Sequence, residues 1–359
     1  MKLENQNILI FSNEPWGDVW YSKHNWAFEL SKKNNVFFIN PPKKWCLKNL
    51  FKISITSYTE RLKILNYNNL LPFTRLGWLY QINNFIISRR IKNYIHKNNG
   101  AEFIFWTFDP YRFTNPKLFS PKFAIYFIAD KYQTQKEKEL ISNTDFFITV
   151  SKELTNNLVL KKLLVLSHGI SSSEFSVDED VTIEEGFALY VGQIDYRIDY
   201  ELVIKMVENF PDKRFLFIGQ PQHNLSDKNF KRLFIDKAYS NLIHLPPIHF
   251  KRLKNYIAKA KICLAPMLLH VHGNNINHHK LLQYLALGKP VLAPTFRDYE
   301  KNELIFSYSS PDDGIAILQR IFNYEEEPIL FDKRIIFAKQ FTYENLIIKV
   351  EQFLTETNN

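Results

Sequence analysis

Short apolar runs and apolar positions at helical spacing alternate along most of this chain. Residues 8–11 predict a strand, and Trp26, Ala27 and Leu30 set a helix over 22–33. A strand over 36–39 stops at Pro41-Pro42. Weaker strands are expected at 53–55 and 62–65, then a long helix over 78–96 that ends at Asn98-Asn99-Gly100. Strands of the fully buried kind recur at 103–106, 124–128 and 146–150. Ser151 is placed to cap a short helix, and 163–166 is a last strand. Such alternation implies βαβ units and a parallel sheet.

The pattern breaks between 171 and 185. Ser171-Ser172-Ser173 and the acids Glu174, Asp178, Glu179, Asp180, Glu184 and Glu185 read as a polar connector. Alternation then restarts, with strands at 187–191, 215–218, 242–245, 262–264 and 291–293. Helices fall at 200–209, 250–260, 279–287 and 312–322, and a helical tail covers 332–353. The expected architecture is α/β: two Rossmann-like doubly wound domains facing a cleft, a preferred place for ligands. Its divisions are an N-terminal domain over 1–172, a linker over 173–186, a C-terminal domain over 187–335 and a helical tail over 336–359 that packs back.

Length and composition fit this division. The chain has 359 residues, about two domains' worth. Its residues are 45% apolar and 23% charged, which excludes a disordered chain or a coiled coil. No apolar run approaches the roughly 18 residues of a membrane helix. The start runs from a polar heptapeptide into the first strand with no secretory pattern. The two cysteines, Cys46 and Cys263, define neither a disulfide framework nor a zinc site, so a cytoplasmic protein is expected.

Charge changes the picture in the N-terminal half. The net charge is +9, and between Ser31 and Asn99 thirteen Lys and Arg residues face a single acid, Glu60. Leu70 to Tyr80 adds apolar and aromatic residues there. This combination fits an anionic acceptor or an anionic membrane surface, with peripheral attachment to the inner face of the plasma membrane. The competing reading packs the aromatics in the core and leaves the lysines solvated.

The most informative stretch is 274–291. Asn277 is placed as an N-cap, and Lys280, Gln283, Tyr284 and Leu287 share one helix face. Gly288 suits the position after the helix, and Pro290 leads into a strand. A helix N-terminus with Lys280 in its first turn suits a diphosphate. The alternative is an ordinary capped helix with a solvated lysine.

The run Lys280-Leu281-Leu282-Gln283-Tyr284-Leu285-Ala286-Leu287-Gly288-Lys289-Pro290-Val291 resembles the nucleotide-sugar signature of GT-B glycosyltransferases of the large family 4 group. Other segments agree in order. Tyr190-Val191-Gly192-Gln193-Ile194-Asp195 resembles the first strand and glycine turn of their C-terminal domain. Phe215-Leu216-Phe217-Ile218-Gly219 resembles its second strand, and Ser167-His168-Gly169-Ile170 with Phe175 resembles the segment before the linker. Trp16-Gly17-Asp18-Val19-Trp20 and Asn40-Pro41-Pro42 resemble teichuronic-acid-type members.

The resemblance implies a GT-B fold and a hexosyltransferase-type enzyme, retaining by family habit. Its donor would be a nucleotide diphosphate sugar, with no further cofactor. Its acceptor would be an envelope or exopolysaccharide glycan or a lipid-linked glycan, and no nucleic acid is expected as a partner. It places Gln283 where the family has a carboxylate on the ribose, and Asn275 where a carboxylate contacts the donor. Both are amides here, which can accept hydrogen bonds but lack charge.

Gly192 and Gly219 mark the phosphate-side turns, and Arg197 lies near the family's phosphate-binding cation. Arg197 has a competing ion pair with Asp195 or Asp199. His244 begins the stretch expected to face the base. His24 with Lys23, Asp109 and Asp130 after buried strands, and His168 are candidates for acid–base work or for contact with acceptor or phosphate. Each also has a plain structural alternative as a cap, turn or surface residue. His278-His279 lacks a third ligand at metal spacing, so no metal is expected. Two other readings share these residues: a sugar-nucleotide epimerase on the same fold, and a non-catalytic nucleotide- or glycan-binding partner. No Gly-x-Gly-x-x-Gly follows the first strand, which argues against a nicotinamide dehydrogenase.

Overall fold

Continuous apolar runs become the central strands of two parallel sheets. The computed structural model describes all residues except 18–19, 44, 46–51, 73–76, 100–101, 179–180, 224, 273–278, 297–298, 300–301, 324–326 and 358–359. Met1–Ser167 and Tyr343–Asn359 form one unit, His168–Thr342 the other.

The first unit holds β1 (Asn7–Phe11), β2 (Asn35–Ile39), β3 (Ser54–Ser57), β4 (Leu62–Asn66), β5 (Ile104–Thr107), β6 (Ala124–Ile128), β7 (Phe146–Thr149) and β8 (Leu163–Val165). They align as β3-β4-β2-β1-β5-β6-β7-β8, parallel throughout except for β3, which runs antiparallel to β4 at the edge. Helices α1 (Ser22–Ser31), α2 (Gly77–Asn99) and α3 (Gln135–Ser142) lie between strands. Ile8, Leu9, Ile10 and Phe11 are all fully buried, because helices cover both faces of a parallel sheet. Trp26 of α1 packs against Trp106 and Phe127, and against Tyr343 of the C-terminal helix Tyr343–Glu356. Each such buried aromatic contributes about 1.5–3 kcal/mol.

The second unit holds β9 (Ala188–Val191), β10 (Phe215–Ile218), β11 (Leu242–Leu245), β12 (Ile262–Leu264), β13 (Val291–Pro294) and β14 (Ile305–Tyr308). Their order is β11-β10-β9-β12-β13-β14, all parallel, which is the doubly wound order of a dinucleotide-binding fold. Its helices are α4 (Tyr200–Asn209), α5 (Lys228–Phe230), α6 (Phe250–Lys259), α7 (Leu269–His272), α8 (His279–Ala286), α9 (Pro311–Asn323) and α10 (Pro328–Lys339). The strand order reverses between β9 and β12, so ligand-binding loops are expected at their carboxyl ends.

The unit boundaries differ from the sequence divisions. The segment 173–186, expected as a linker, falls within the second unit. The tail expected over 336–359 is two helices. The break has a tertiary cause: Phe341 O accepts the Ile170 N–H at 2.9 Å, and Thr342 bridges to Ile170. The first of these helices closes the second unit, and the last belongs to the first unit.

Candidate active site

In the second unit, two glycine turns meet at the carboxyl edge. Gly192 follows β9 and Gly219 follows β10. A Cβ on Gly219 would lie 1.8 Å from the Gly192 carbonyl oxygen, so no side chain fits there. A Cβ on Gly192 would lie 2.8 Å from Lys280 Nζ and 3.0 Å from the Tyr190 hydroxyl. The first-turn lysine of α8 therefore reaches the β9 turn. Its Nζ sits 4.7 Å from the Tyr190 ring centroid and 3.4 Å from the Tyr190 hydroxyl, which itself donates to Gln193 O at 2.7 Å. Helix α8 is anchored to the same strand: the Tyr284 hydroxyl accepts the Val191 N–H at 3.0 Å.

Burial pushes the Lys280 ammonium down to about 8; Arg197 nearby acts in the same direction, and Asp195 opposes it. Among the described residues, no carboxylate lies within ion-pair distance of Lys280. Arg197 is differently placed. Its guanidinium forks onto Asp195, with Nε at 2.9 and 3.1 Å and Nη2 at 2.6 Å from the carboxylate oxygens. Burial would raise the Asp195 carboxyl, but these bonds hold it below its ordinary range. The ion pair weighed in the sequence reading of Arg197 is thus present in the structure.

Gln283 lies one turn beyond Lys280 on α8. Its Nε2 donates to Glu174 Oε2 at 2.6 Å. Asn275 and Asn277 lie outside the described residues. His244 sits in β11, and its Nε2 contacts Gly219 O at 2.9 Å, so it braces the second glycine turn. His168 stands edge-on to His279, with centroids 6.3 Å apart, and burial pushes its imidazole down to about 3. It is a neutral ring at physiological pH.

The first unit gathers another polar group at its carboxyl edge. Asp109, 1% exposed, is an ion-pair partner of Arg112 and accepts the Tyr111 N–H at 2.8 Å. Arg112 also donates to Asn40 O at 3.0 Å, to the Tyr67 hydroxyl at 2.7 Å, and to Ser12 O. It therefore ties together the loops after β1, β2, β4 and β5, and Asp109 is committed to that brace. His24 is fully buried and has both ring nitrogens engaged. Nδ1 accepts the Tyr21 N–H at 3.0 Å, and Nε2 lies 3.1 Å from Pro15 O. Lys23 donates to Asn13 Oδ1 at 2.6 Å and pairs with Glu14. Burial lowers it to about 8 against the pull of Asp130 and Asp109. Asp130 is exposed, with the Tyr132 hydroxyl 3.4 Å away. Of the four candidates for acid–base work, Asp130 is the carboxylate left open to solvent.

Three contributors escaped the sequence reading. Arg112 stands three residues after Asp109 in the turn that follows β5, a spacing that signals a local pair. Tyr190 is hidden in an apolar strand run. Glu174 sits in a serine-rich connector, where its only signal is the Ser171-x-x-Glu174 capping pattern.

The sheets and their glycine turns define a class: the fold is GT-B, two Rossmann-like α/β units. No protein-family model matches the chain. A Bacillus subtilis (strain 168) protein, TuaH, named as a teichuronic acid biosynthesis glycosyltransferase, is 25% identical over 204 residues, 52% of this chain and 50% of that protein. The chain thus spans about half the length of the curated relative it matches. A solved glycosyltransferase from Rickettsia africae ESF-5 matches with a TM-score of 0.68 at 14% identity, over 99% of both chains. Anabaena HepE, solved in complex with UDP and glucose, matches with a TM-score of 0.66 at 11% identity, over 98% of this chain and 99% of that one. The fold and the teichuronic-acid-type relative agree with the resemblance drawn from the 280–291 signature.

Proposed function

We propose that this protein is a glycosyltransferase that takes a sugar from a nucleotide diphosphate sugar. It delivers that sugar to an envelope or exopolysaccharide glycan or a lipid-linked acceptor. The observation that carries this reading is Lys280: a half-buried cation in the first turn of α8, against a glycine turn, with no carboxylate partner among the described residues. A diphosphate supplies the missing charge, and the N–H groups of the first helical turn add to it.

Transfer breaks the bond between the sugar's anomeric carbon and the diphosphate and forms one to an acceptor hydroxyl oxygen. Lys280 stabilises the charge that develops on the departing diphosphate. The hydroxyl proton leaves to a base; of the candidates read from the sequence, Asp130 keeps a solvent-exposed carboxylate, with the Tyr132 hydroxyl 3.4 Å away. We take the transfer to retain anomeric configuration, the habit of the family it resembles. Lys280→Ala is expected to weaken a nucleoside diphosphate roughly ten- to hundred-fold, the value of one charge-assisted hydrogen bond, and to spare the nucleoside. Equal losses for both, measured by calorimetry, would contradict the placement.

The outer face of α2 adds a feature in the first unit. Trp78, Ile82, Phe85 and Ile86 are exposed by 64%, 38%, 44% and 36%. They form one stripe by helical spacing, and the Arg89 guanidinium lies 4.2 Å above the Phe85 ring. Leu70, Leu79 and Tyr80 of the run noted in the sequence are buried instead, while Phe73 to Leu76 lie outside the described residues. An apolar stripe beside a basic surface suits an anionic headgroup boundary, where a lipid-linked acceptor resides.

A further inference from the structure

The Ser171–Phe175 segment brings a carboxylate to α8 from outside the helix. Glu174 closes a capping box with Ser171: its Oε1 accepts the Ser171 N–H at 3.1 Å. Its Oε2 accepts Gln283 Nε2 at 2.6 Å. Both donors are neutral amides, and among the described residues no Lys or Arg pairs with this carboxylate. Glu174 is only half-buried, and each oxygen, having accepted one of these bonds, has capacity for another. An anion held by neutral donors is an acceptor of unusual strength for hydroxyl groups, because none of its charge is cancelled. Gln283, which holds it, lies three residues after Lys280 on α8, about 4.5 Å along the helix axis. In a nucleoside diphosphate, the pentose hydroxyls follow the phosphates at a comparable span. Carboxylates are the usual partners of such vicinal hydroxyls in doubly wound folds.

We infer that Glu174 is the carboxylate that receives the ribose hydroxyls of the nucleotide, with Gln283 as the positioning residue that holds it against α8. This inference rests on the diphosphate reading of Lys280. It assigns the charged contact to the Ser171–Phe175 segment of the second unit, and leaves α8 only the orienting amide. The acids of that segment then have different duties: Asp178 pairs with Lys254, while Glu174 faces the ligand.

The test is calorimetric titration of the full chain with UDP, GDP and ADP, and with the 2′-deoxy form of whichever binds. Wild type is expected to prefer the ribonucleotide by about ten-fold or more, and Glu174→Gln to bring the two forms within about two-fold. The exchanged variant Glu174→Gln with Gln283→Glu keeps one amide and one carboxylate in contact, now with the charge on α8. It is expected to restore the preference, which a purely structural capping role would not do. Melting temperatures of each variant monitor the fold. A Glu174→Gln protein that still prefers the ribonucleotide ten-fold overturns the assignment while leaving the diphosphate site standing. So does an exchanged variant that is folded, binds the deoxy form normally and shows no preference. If wild type binds none of the three diphosphates, the parent reading falls, and this one with it.

Discussion

A proton added to His24 has no place to go. Nδ1 already accepts a backbone N–H, and Nε2 faces a backbone carbonyl, so the neutral tautomer with hydrogen on Nε2 satisfies both. Burial is the largest cause that pushes its pKa down to about 4. Between about 4 and 6.5 the unfolded chain binds the proton that the folded chain refuses. Stability is therefore lost as pH falls through that window, by up to about 3 kcal/mol. Urea unfolding at pH 7 and at pH 4.5 is expected to show this, and His24→Gln to lose less on acidification while starting from a lower stability. An equal acid sensitivity in the variant would show that other groups carry it. This residue was legible as a polar group near a functional edge, but its burial was not. The same holds for Asp109, whose commitment to Arg112 depends on four loops meeting in space. Lys280 and the glycine turns were legible because each sits at a local punctuation mark, a helix start or a strand end.

The two glycine turns act as one element. The Gly219 backbone must pass against the Gly192 carbonyl, so Gly219→Ala forces the β9 and β10 turns apart. An expected loss of at least about 2 kcal/mol in urea unfolding, together with weakened diphosphate binding, follows from overpacking at backbone. An unchanged midpoint would contradict the contact. Helix α2 makes a different prediction. Phe85→Asp with Ile86→Asp alters only exposed positions, so stability is expected to move by about 0.5 kcal/mol or less per site. Co-sedimentation with anionic vesicles at low salt is expected to fall sharply, and wild-type binding to fall with added salt. Wild-type protein that ignores such vesicles would leave the stripe without a membrane role.

Most strands were legible because parallel strands are apolar on both faces. Helix α3 was not: its sequence QKEKELIS carries little apolar period, and only the Thr134 cap, which accepts the Glu137 N–H at 3.1 Å, marks its start. Strand β14 was missed because the half-buried Ser307 interrupts its short apolar run. The acidic connector was read as a linker from its composition. In the structure its acids cap a turn and pair with Lys254, work that composition does not show.

At the scale of the whole molecule, each of the two sheets reverses its strand order once and gathers a polar cluster at its own carboxyl edge. A glycosyltransferase holds donor and acceptor together, so nucleotide release depends on the acceptor. An epimerase on the same fold would interconvert sugars without an acceptor, and a binding partner would hold nucleotide without turnover. Radiolabelled UDP- and GDP-sugars incubated with the protein and an isolated bacterial envelope fraction separate these outcomes. Label is expected to enter the envelope glycan or lipid fraction with release of equimolar nucleoside diphosphate. Both signals are expected to depend on the acceptor fraction and to be lost in Lys280→Ala. Sugar interconversion without acceptor, or bound nucleotide sugar that is never cleaved across the panel, would contradict the transferase reading.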